Sequence, residues 1–412
     1  MIPAGLCVLA AACVLLGSAE PGNDSGRLFF GLWRTRFVAL ALALTAIALG
    51  IFCAGVSRRA LFGYGFALLQ LGLAVAVLEG LGRAGFVSFP QLMGNVGLMP
   101  TNDLAVGPEP GLDVCGDSFQ DIAWPWGVEH PAIPFCYRTN RYGFRNPPDL
   151  EQADVYLLGD SMVVSALVAE DRMIAARLAE RWGRPVMNVA LVGVSPQEEH
   201  ALLRESGLPL EGRLVLQLLF EGNDLSDSAR FAAGGAEVRQ DPHARSFVRN
   251  AVLALQRLSQ PVVAEAARQS CEIGGETILF RWTSEAWEGL DDEHDRIFRA
   301  VETFASEVRE AGGDFGVVVV PAKLRVLGPA CETWPDGSPL HSIVDANPFR
   351  DRVMTWAVQA GIPAIDLTGP LRESARAGRI PWFWGDTHWN ATAQDVAAGA
   401  IVEAFAPPGE RE

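Results

Sequence analysis

The sequence predicts an α/β fold: a doubly wound, three-layer parallel sheet preceded by N-terminal transmembrane helices. Three observations carry that expectation. From Ala153 onward short β-rich runs alternate with helical ones, the rhythm a doubly wound sheet requires. Residues 214–220 read as one continuous buried run, as expected of a central parallel strand covered on both faces. The excess apolar content concentrates in the first 86 residues, where 2–16, 37–56 and 61–78 carry almost no charge.

A bilayer span takes about 20 apolar residues. Segment 37–56 meets that length, whereas 2–16 and 61–78 are shorter and the last stops at Glu79. Two spans are expected, with the first segment a third; for any one of them the alternative is a buried core helix. Arg34, Arg36, Arg58 and Arg59 flank these segments, and Trp33 suits a membrane interface. Charge alone leaves orientation open, because Arg27, Arg34 and Arg36 in the first connection oppose Arg58 and Arg59 in the second. Gly17-Ser18-Ala19 resembles a small-residue cleavage site, although no basic residue precedes the run before it. Cleaved or retained, an inserted first segment puts everything after Leu78 outside.

Cys7, Cys13 and Cys53 lie in apolar segments, leaving Cys115, Cys136, Cys271 and Cys331 in the soluble part. Four is an even number, which permits two disulfides in an oxidising compartment; four unpaired core thiols is the other reading. The formal charge of −16, with nearly every basic residue an arginine, speaks against a nucleic-acid partner, since phosphate binding wants a basic surface. No Cys-x-x-Cys or His-rich cluster suggests a structural zinc site.

Three regions follow from this organisation. Residues 1–86 form a membrane-anchoring region, and 87–150 a Pro- and Gly-rich linker leading into a small irregular subdomain. Residues 151–406 form the main α/β domain, interrupted by an insertion at about 226–273 that could act as a lid. Strands are expected at 155–158, 186–190, 214–220, 277–282, 315–320 and 364–367. Helices are expected near 172–182, from 196, around 247–258, over 291–311, near 349–360 and over 392–405.

Four short signals lie at or beyond strand ends: Gly159-Asp160-Ser161, Gly193, Gly222-Asn223-Asp224 and Asp386-Thr387-His388. A serine hydroxyl is a weak nucleophile until a base takes its proton, and the imidazolium so formed needs an oriented carboxylate. Ser161, His388 and Asp386 could fill those roles, with the carboxylate close to the imidazole along the chain. An oxyanion requires preorganised donors, and the amides of Ser161 and Gly193 with the side-chain amide of Asn223 are candidates. Taken singly each signal is weak: Gly193 alone reads as a turn, Asp224 as a helix cap, and Asp386 with His388 as a surface pair or half a metal site. Order, strand context and spacing join them.

Together the four blocks resemble the SGNH (GDSL-type) serine hydrolase superfamily over residues 153–405. Leu157-Leu158-Gly159-Asp160-Ser161 is similar to its first block, Asn188 through Gly193 to its second, Gly222-Asn223-Asp224 to its third, and Asp386 with His388 to its last. The resemblance implies Ser161 as nucleophile, His388 as base, Asp386 as its support, and Ser161, Gly193 and Asn223 as the oxyanion hole. One residue separates Asp386 from His388 where the usual last block has two. Asp386-Thr387-His388-Trp389 is instead similar to a block in alginate O-acetyltransferases, where it precedes the serine rather than following it. Asn140-Arg141-Tyr142-Gly143-Phe144-Arg145 resembles a segment just upstream of the serine in membrane-linked members.

The resulting expectation is a multi-pass membrane-anchored serine esterase with an extracytoplasmic catalytic domain. It would cleave or transfer a short O-acyl group through acyl-Ser161, on an acylated small molecule or, most plausibly, a glycan, with no cofactor, no metal and no nucleic acid. The alternative is a noncatalytic binding or assembly protein of an envelope polysaccharide system. Arg145 and Arg281 are candidate holders of an anionic substrate. Trp382, Phe383, Trp384 and Trp389 could stack on sugar rings or pin the Asp-x-His loop to the core.

Overall fold

The computed structural model describes residues 33–95, 109–234, 245–262, 269–281 and 287–407, apart from 119, 127, 129, 258, 336, 337 and 339, together with 26–29 and positions 6, 9 and 10. The first apolar segment falls almost wholly outside these, as do Gly17-Ser18-Ala19, Cys7 and Cys13. Two compact units emerge. One comprises Met1–Pro100, Ala123–Glu129 and Pro242–Ala266; the other comprises Thr101–Ile122, His130–Asp241 and Ala267–Glu412.

The larger unit is an α/β fold on five parallel strands: β1 (Val155–Gly159), β2 (Val186–Ala190), β3 (Leu214–Phe220), β4 (Asp314–Val320) and β5 (Ala364–Asp366). Their order in the sheet is β5-β4-β3-β1-β2. β1 and β2 are buried at every position, and so is β3, because helices cover both faces. On one face Tyr156, Leu158, Val215 and Val317 join Leu202, Ile297, Phe304 and Val353 from the helices Pro196–Ser206, Asp291–Glu310 and Phe349–Ala360. The alternate residues Val155, Leu157, Leu216 and Val318 are equally buried. The helix Ile174–Trp182 packs against β2 and against Ala391–Ala404, which in turn meets Thr368–Arg376.

The stretch expected as a strand at 277–282 joins a different sheet. Glu276–Leu279 pairs antiparallel with Ser270–Ile273 across Gly274 and Gly275, both in the left-handed region at φ 61° and 80°. Two such glycines suit a tight hairpin, which turns the chain back instead of sending it across to the parallel sheet. Upstream, Asp113–Ser118 and Ile133–Arg138 form a second antiparallel pair. The four soluble-part cysteines form two disulfides, Cys115–Cys136 across that pair and Cys271–Cys331.

In the smaller unit, the helices Thr35–Val56 and Arg58–Arg83 turn at Ser57, whose hydroxyl caps the second by accepting from Ala60 N at 3.0 Å. Among the described residues one helix, Arg58–Arg83, is long and apolar enough to cross a membrane, where the sequence suggested two or three; Leu40–Val56 is a shorter apolar helix. Segment 61–78 reads short because Glu79 ends its apolar run. The helix nevertheless continues to Arg83, since Glu79 and Arg83 pair at 2.7 Å one turn apart.

Candidate active site

In this strand order the connection leaving β1 leads to β2 on one side, while the one leaving its neighbour β3 leads on to β4 on the other. The crevice at the carboxyl ends of β1 and β3 is therefore the switch point where open α/β sheets bind ligands. Ser161 follows β1 directly and Asn223 lies three residues past the end of β3. Glycine is required at 159, where a Cβ would collide with the Val163 side chain and lie 3.5 Å from Leu218 Cβ. Only that bare backbone lets the strand turn at once into the short helix Ser161–Val164. Asp160 caps the helix by accepting from Met162 N at 2.9 Å, leaving Ser161 half-buried on its first turn.

Asp386 and His388 form a tight pair. One carboxylate oxygen, Oδ1, accepts from the His388 backbone N–H at 2.9 Å and meets the ring Nδ1 at 2.6 Å. A single intervening residue thus suffices, because an Asp side chain reaches the amide two residues on in a local turn and meets the ring in the same move. Nε2 is thereby the nitrogen left for chemistry. Burial alone would lower the His388 pKa, but the Asp386 charge and hydrogen bond outweigh it, with Asp121 and Asp160 adding to them, and raise it to about 9. The same pairing holds Asp386 below its ordinary value against its own burial.

The His388 loop closes on the Ser161 turn through the next residue. Trp389 Nε1 donates to Met162 O at 2.5 Å, so the residue after the imidazole is bonded to the residue after the serine. Trp382 Nε1 likewise donates to Thr387 O at 3.0 Å. Both indoles are almost fully buried and serve to pin the loop, while Phe383 and Trp384 remain half-buried.

Three residues that sequence reasoning missed hold this loop. Asp121 accepts from Thr387 N at 2.7 Å and from the Thr387 hydroxyl, while its own N–H donates to Asp386 Oδ2 at 2.8 Å. Gln120, at φ 64°, accepts from Gly385 N at 2.9 Å. Asp121, Asp386 and His388 come close enough to hold a metal ion, yet each of their four carboxylate oxygens already accepts an N–H or O–H from within the loop and its Asp121 support. From beneath, the buried Lys323 ammonium donates to the carbonyls of Phe383, Trp384 and Asp386 at 2.7, 2.7 and 3.1 Å. Three donors meet three acceptors. Burial lowers its pKa to about 7 despite the nearby Asp386 and Asp121. A signal for it did exist: Lys323 is the only lysine in a chain that otherwise uses arginine throughout.

Of the expected oxyanion donors, Gly193 lies just beyond β2 in an exposed turn at φ 69°, a conformation that suits glycine. Its carbonyl accepts from Arg230 at 2.6 Å, leaving its N–H as the group relevant to a ligand. Asn223 Nδ2 donates to Asp227 Oδ2 at 2.9 Å, which orients the amide, and its side chain also meets the buried Asp160 carboxyl. Asp224 does not cap its helix through its side chain. It is buried and accepts from Phe220 N at 2.8 Å, tying the end of β3. Burial raises the carboxyls of Asp160, Glu199 and Asp224, and that of Asp227 to about 6.

Arg145 is not an anion-binding group. It is fully buried, and its guanidinium donates to the carbonyls of Val164, Ser165, Val168 and Cys136. Arg281 is exposed. Asn146, next to Arg145, exchanges two 2.8 Å hydrogen bonds with the Asn188 backbone, and Asn188 Nδ2 donates to Val163 O at 3.1 Å. The first two blocks are therefore stapled together through residues 145 and 146.

Residues 279–410 match the family model described as "SGNH hydrolase-like domain, acetyltransferase AlgX". The matched stretch is similar to an SGNH hydrolase-like domain; it contains the Asp386-Thr387-His388 block and lies downstream of the other three. No curated protein matches the sequence. Among solved structures, TesA is 12% identical with a TM-score of 0.32, over 61% of this chain and 96% of that one. YxiM from Bacillus subtilis is 11% identical at 0.33, over 68% of this chain and 62% of its own. The psychrotrophic esterase EstA from Pseudoalteromonas sp. is 9% identical at 0.30, over 61% and 96%. Scores this low carry no functional weight.

Proposed function

We propose that the chain is a membrane-anchored serine esterase or O-acyltransferase acting on a short acyl group, with an extracytoplasmic glycan as the favoured substrate class. The observation that carries the reading is the Asp386–His388 pair, bonded through Trp389 to the turn bearing Ser161. Ser161 Oγ attacks the acyl carbonyl as His388 Nε2 takes its proton, and the N–H groups of Ser161, Gly193 and Asn223 receive the developing oxyanion. Collapse breaks the ester C–O bond, and His388 returns the proton to the leaving alkoxide. Water or a sugar hydroxyl then attacks acyl-Ser161 as His388 takes its proton, and collapse breaks the Ser161 Oγ–acyl bond while His388 returns that proton to Oγ. The acetyltransferase description of the matching family model favours acetyl as the group carried.

Two disulfides support an extracytoplasmic placement, since such bonds persist in oxidising compartments. The apolar helix Arg58–Arg83 supports anchoring, with Leu40–Val56 as its companion in a multi-pass arrangement. A compartment-sensitive reporter fused after Glu412 should read the outer side; a cytoplasmic signal would reverse the placement.

Treating the full chain in detergent with a fluorophosphonate should give a single adduct that maps to Ser161. Absence of both adduct and acetyl-ester turnover would leave a noncatalytic binding or assembly role as the better reading.

The pH dependence tests the same site. His388 must be neutral to act as base, and with a pKa of about 9 it is neutral at pH 7 in only about one molecule in a hundred. kcat/KM should therefore climb through the neutral range toward pH 9. With a pKa of about 7 Lys323 is largely neutral where His388 titrates, so Lys323→Met should leave the rising limb at the parent pH and lower the rate along it. Its loss frees the Phe383 and Asp386 carbonyls, Trp384 O keeping the Leu279 N–H at 3.0 Å, and a loop displaced by about 1 Å costs on the order of 10²-fold in rate. Lys323→Arg, whose planar fork does not match three converging carbonyls, should not restore the parent profile. A parent rate in Lys323→Met would show that the loop keeps its place without the lysine.

A further inference from the structure

Residues 242–266 belong to the unit that contains the apolar helix Arg58–Arg83, although about 160 residues of sequence separate them. The join lies at the point where the apolar run stops. Glu79 Oε2 accepts from Ser246 Oγ at 3.0 Å and from Val248 N at 3.1 Å, holding the first turn of the helix Phe247–Arg257. Three residues later Gly82 is buried because the Arg245 carbonyl and the Phe89 ring occupy the place of a Cβ. Phe89 and Phe247 meet edge to face at 5.1 Å between centroids.

One side of Phe247–Arg257 is used in this join, with Asn250 fully buried and Phe247 half-buried. On the opposite side Val248, Val252 and Leu255 are exposed at 46%, 45% and 58%. At 3.6 residues per turn these three positions form a single narrow stripe. The stripe begins at Glu79, whose neighbours on Arg58–Arg83 include the exposed Leu73, Val77 and Leu81. A carboxylate closing an 18-residue apolar run (61–78) marks the level at which a spanning helix leaves the hydrocarbon. A short helix capped at that level, apolar on the side away from its protein partner, has the make-up of an interfacial helix.

From this continuity we infer that Phe247–Arg257 lies in the membrane interface and buries Val248, Val252 and Leu255 among lipid acyl chains. The sequence inserted into the α/β domain is then a second membrane contact. This inference rests on the anchoring proposed above.

The full chain, reconstituted in phosphatidylcholine–phosphatidylglycerol vesicles, would carry the photocrosslinker p-benzoylphenylalanine in place of Val252, of Phe247 or of Leu69. Lipid adducts are expected at 252 and at 69 and not at 247, where the ring faces Phe89. Adducts at 69 with none at 252 would overturn the interfacial helix and leave the anchor intact. A protein adduct at 252 would overturn it in favour of a protein interface. No lipid at either 252 or 69 would remove the anchor and this inference with it.

Discussion

Ser161→Ala will reduce acetyl-ester turnover to background, a loss on the order of 10⁴- to 10⁶-fold, while the chain remains folded. The substitution removes one oxygen from a half-buried position on a short helix whose cap, Asp160 to Met162 N, does not involve the hydroxyl. Circular dichroism and melting temperature should stay near the parent values, which separates this loss from unfolding. His388→Ala should cost about as much, and the double variant little more, because nucleophile and base act as one unit. Asp386→Asn is expected to cost about 10⁴-fold, since an amide can donate to Nδ1 and stabilise the wrong tautomer. Asp386 also accepts from Asp121 N and His388 N, so this variant should loosen the loop as well as slow the chemistry. A Ser161→Ala protein that retains the parent rate would end the serine-enzyme reading.

The elements that place Ser161 and Asn223 were legible because buried parallel strands leave a strong local trace. Residues 155–158, 186–190, 214–220 and 315–320 are apolar runs ended by turn residues, and each became a strand of the sheet. Segment 277–282 carried the same kind of trace and went elsewhere. The Gly274-Gly275 turn just before it decided its partner. Asp386 and His388 were legible for the opposite reason: their geometry is confined to three residues.

Asp121 was not legible, because its contacts with Thr387 and Asp386 span about 265 residues and a hydrogen bond at that range imposes no periodicity on either segment. The Pro- and Gly-rich stretch around it reads as connection and packing, yet it delivers Gln120 and Asp121 to the loop. Composition also misled at Glu79. One charge ends the apolar run, whereas the helix runs on and uses that charge to bind Arg83, Ser246 and Val248 N.

Arg145→Met will destabilise the larger unit by about 3–5 kcal/mol and lower activity beyond what stability explains. The guanidinium has no carboxylate partner within bonding distance among the described ion pairs. It donates instead to four carbonyls, three of them in the segment that leaves the Ser161 helix. Burial pulls its pKa down to about 10, still far enough above neutrality for the charge to persist. Removing it takes a donor from the carbonyls of Val164, Val168 and Cys136, while Ser165 O keeps only the Val168 N–H at 2.9 Å. Ser165 adds to the effect: it is a non-glycine residue at φ 54°, an αL position costly for an L residue, and the Arg145 bond to its carbonyl holds it there. With that bond gone the turn can relax, and Ser161, four residues earlier on the same helical turn, moves with it. Arg145→Lys keeps the charge without the fork and should recover only part of the stability. Denaturant unfolding of both variants beside their kcat/KM would test this, and a Met variant as stable as the parent would show that the carbonyls find other donors.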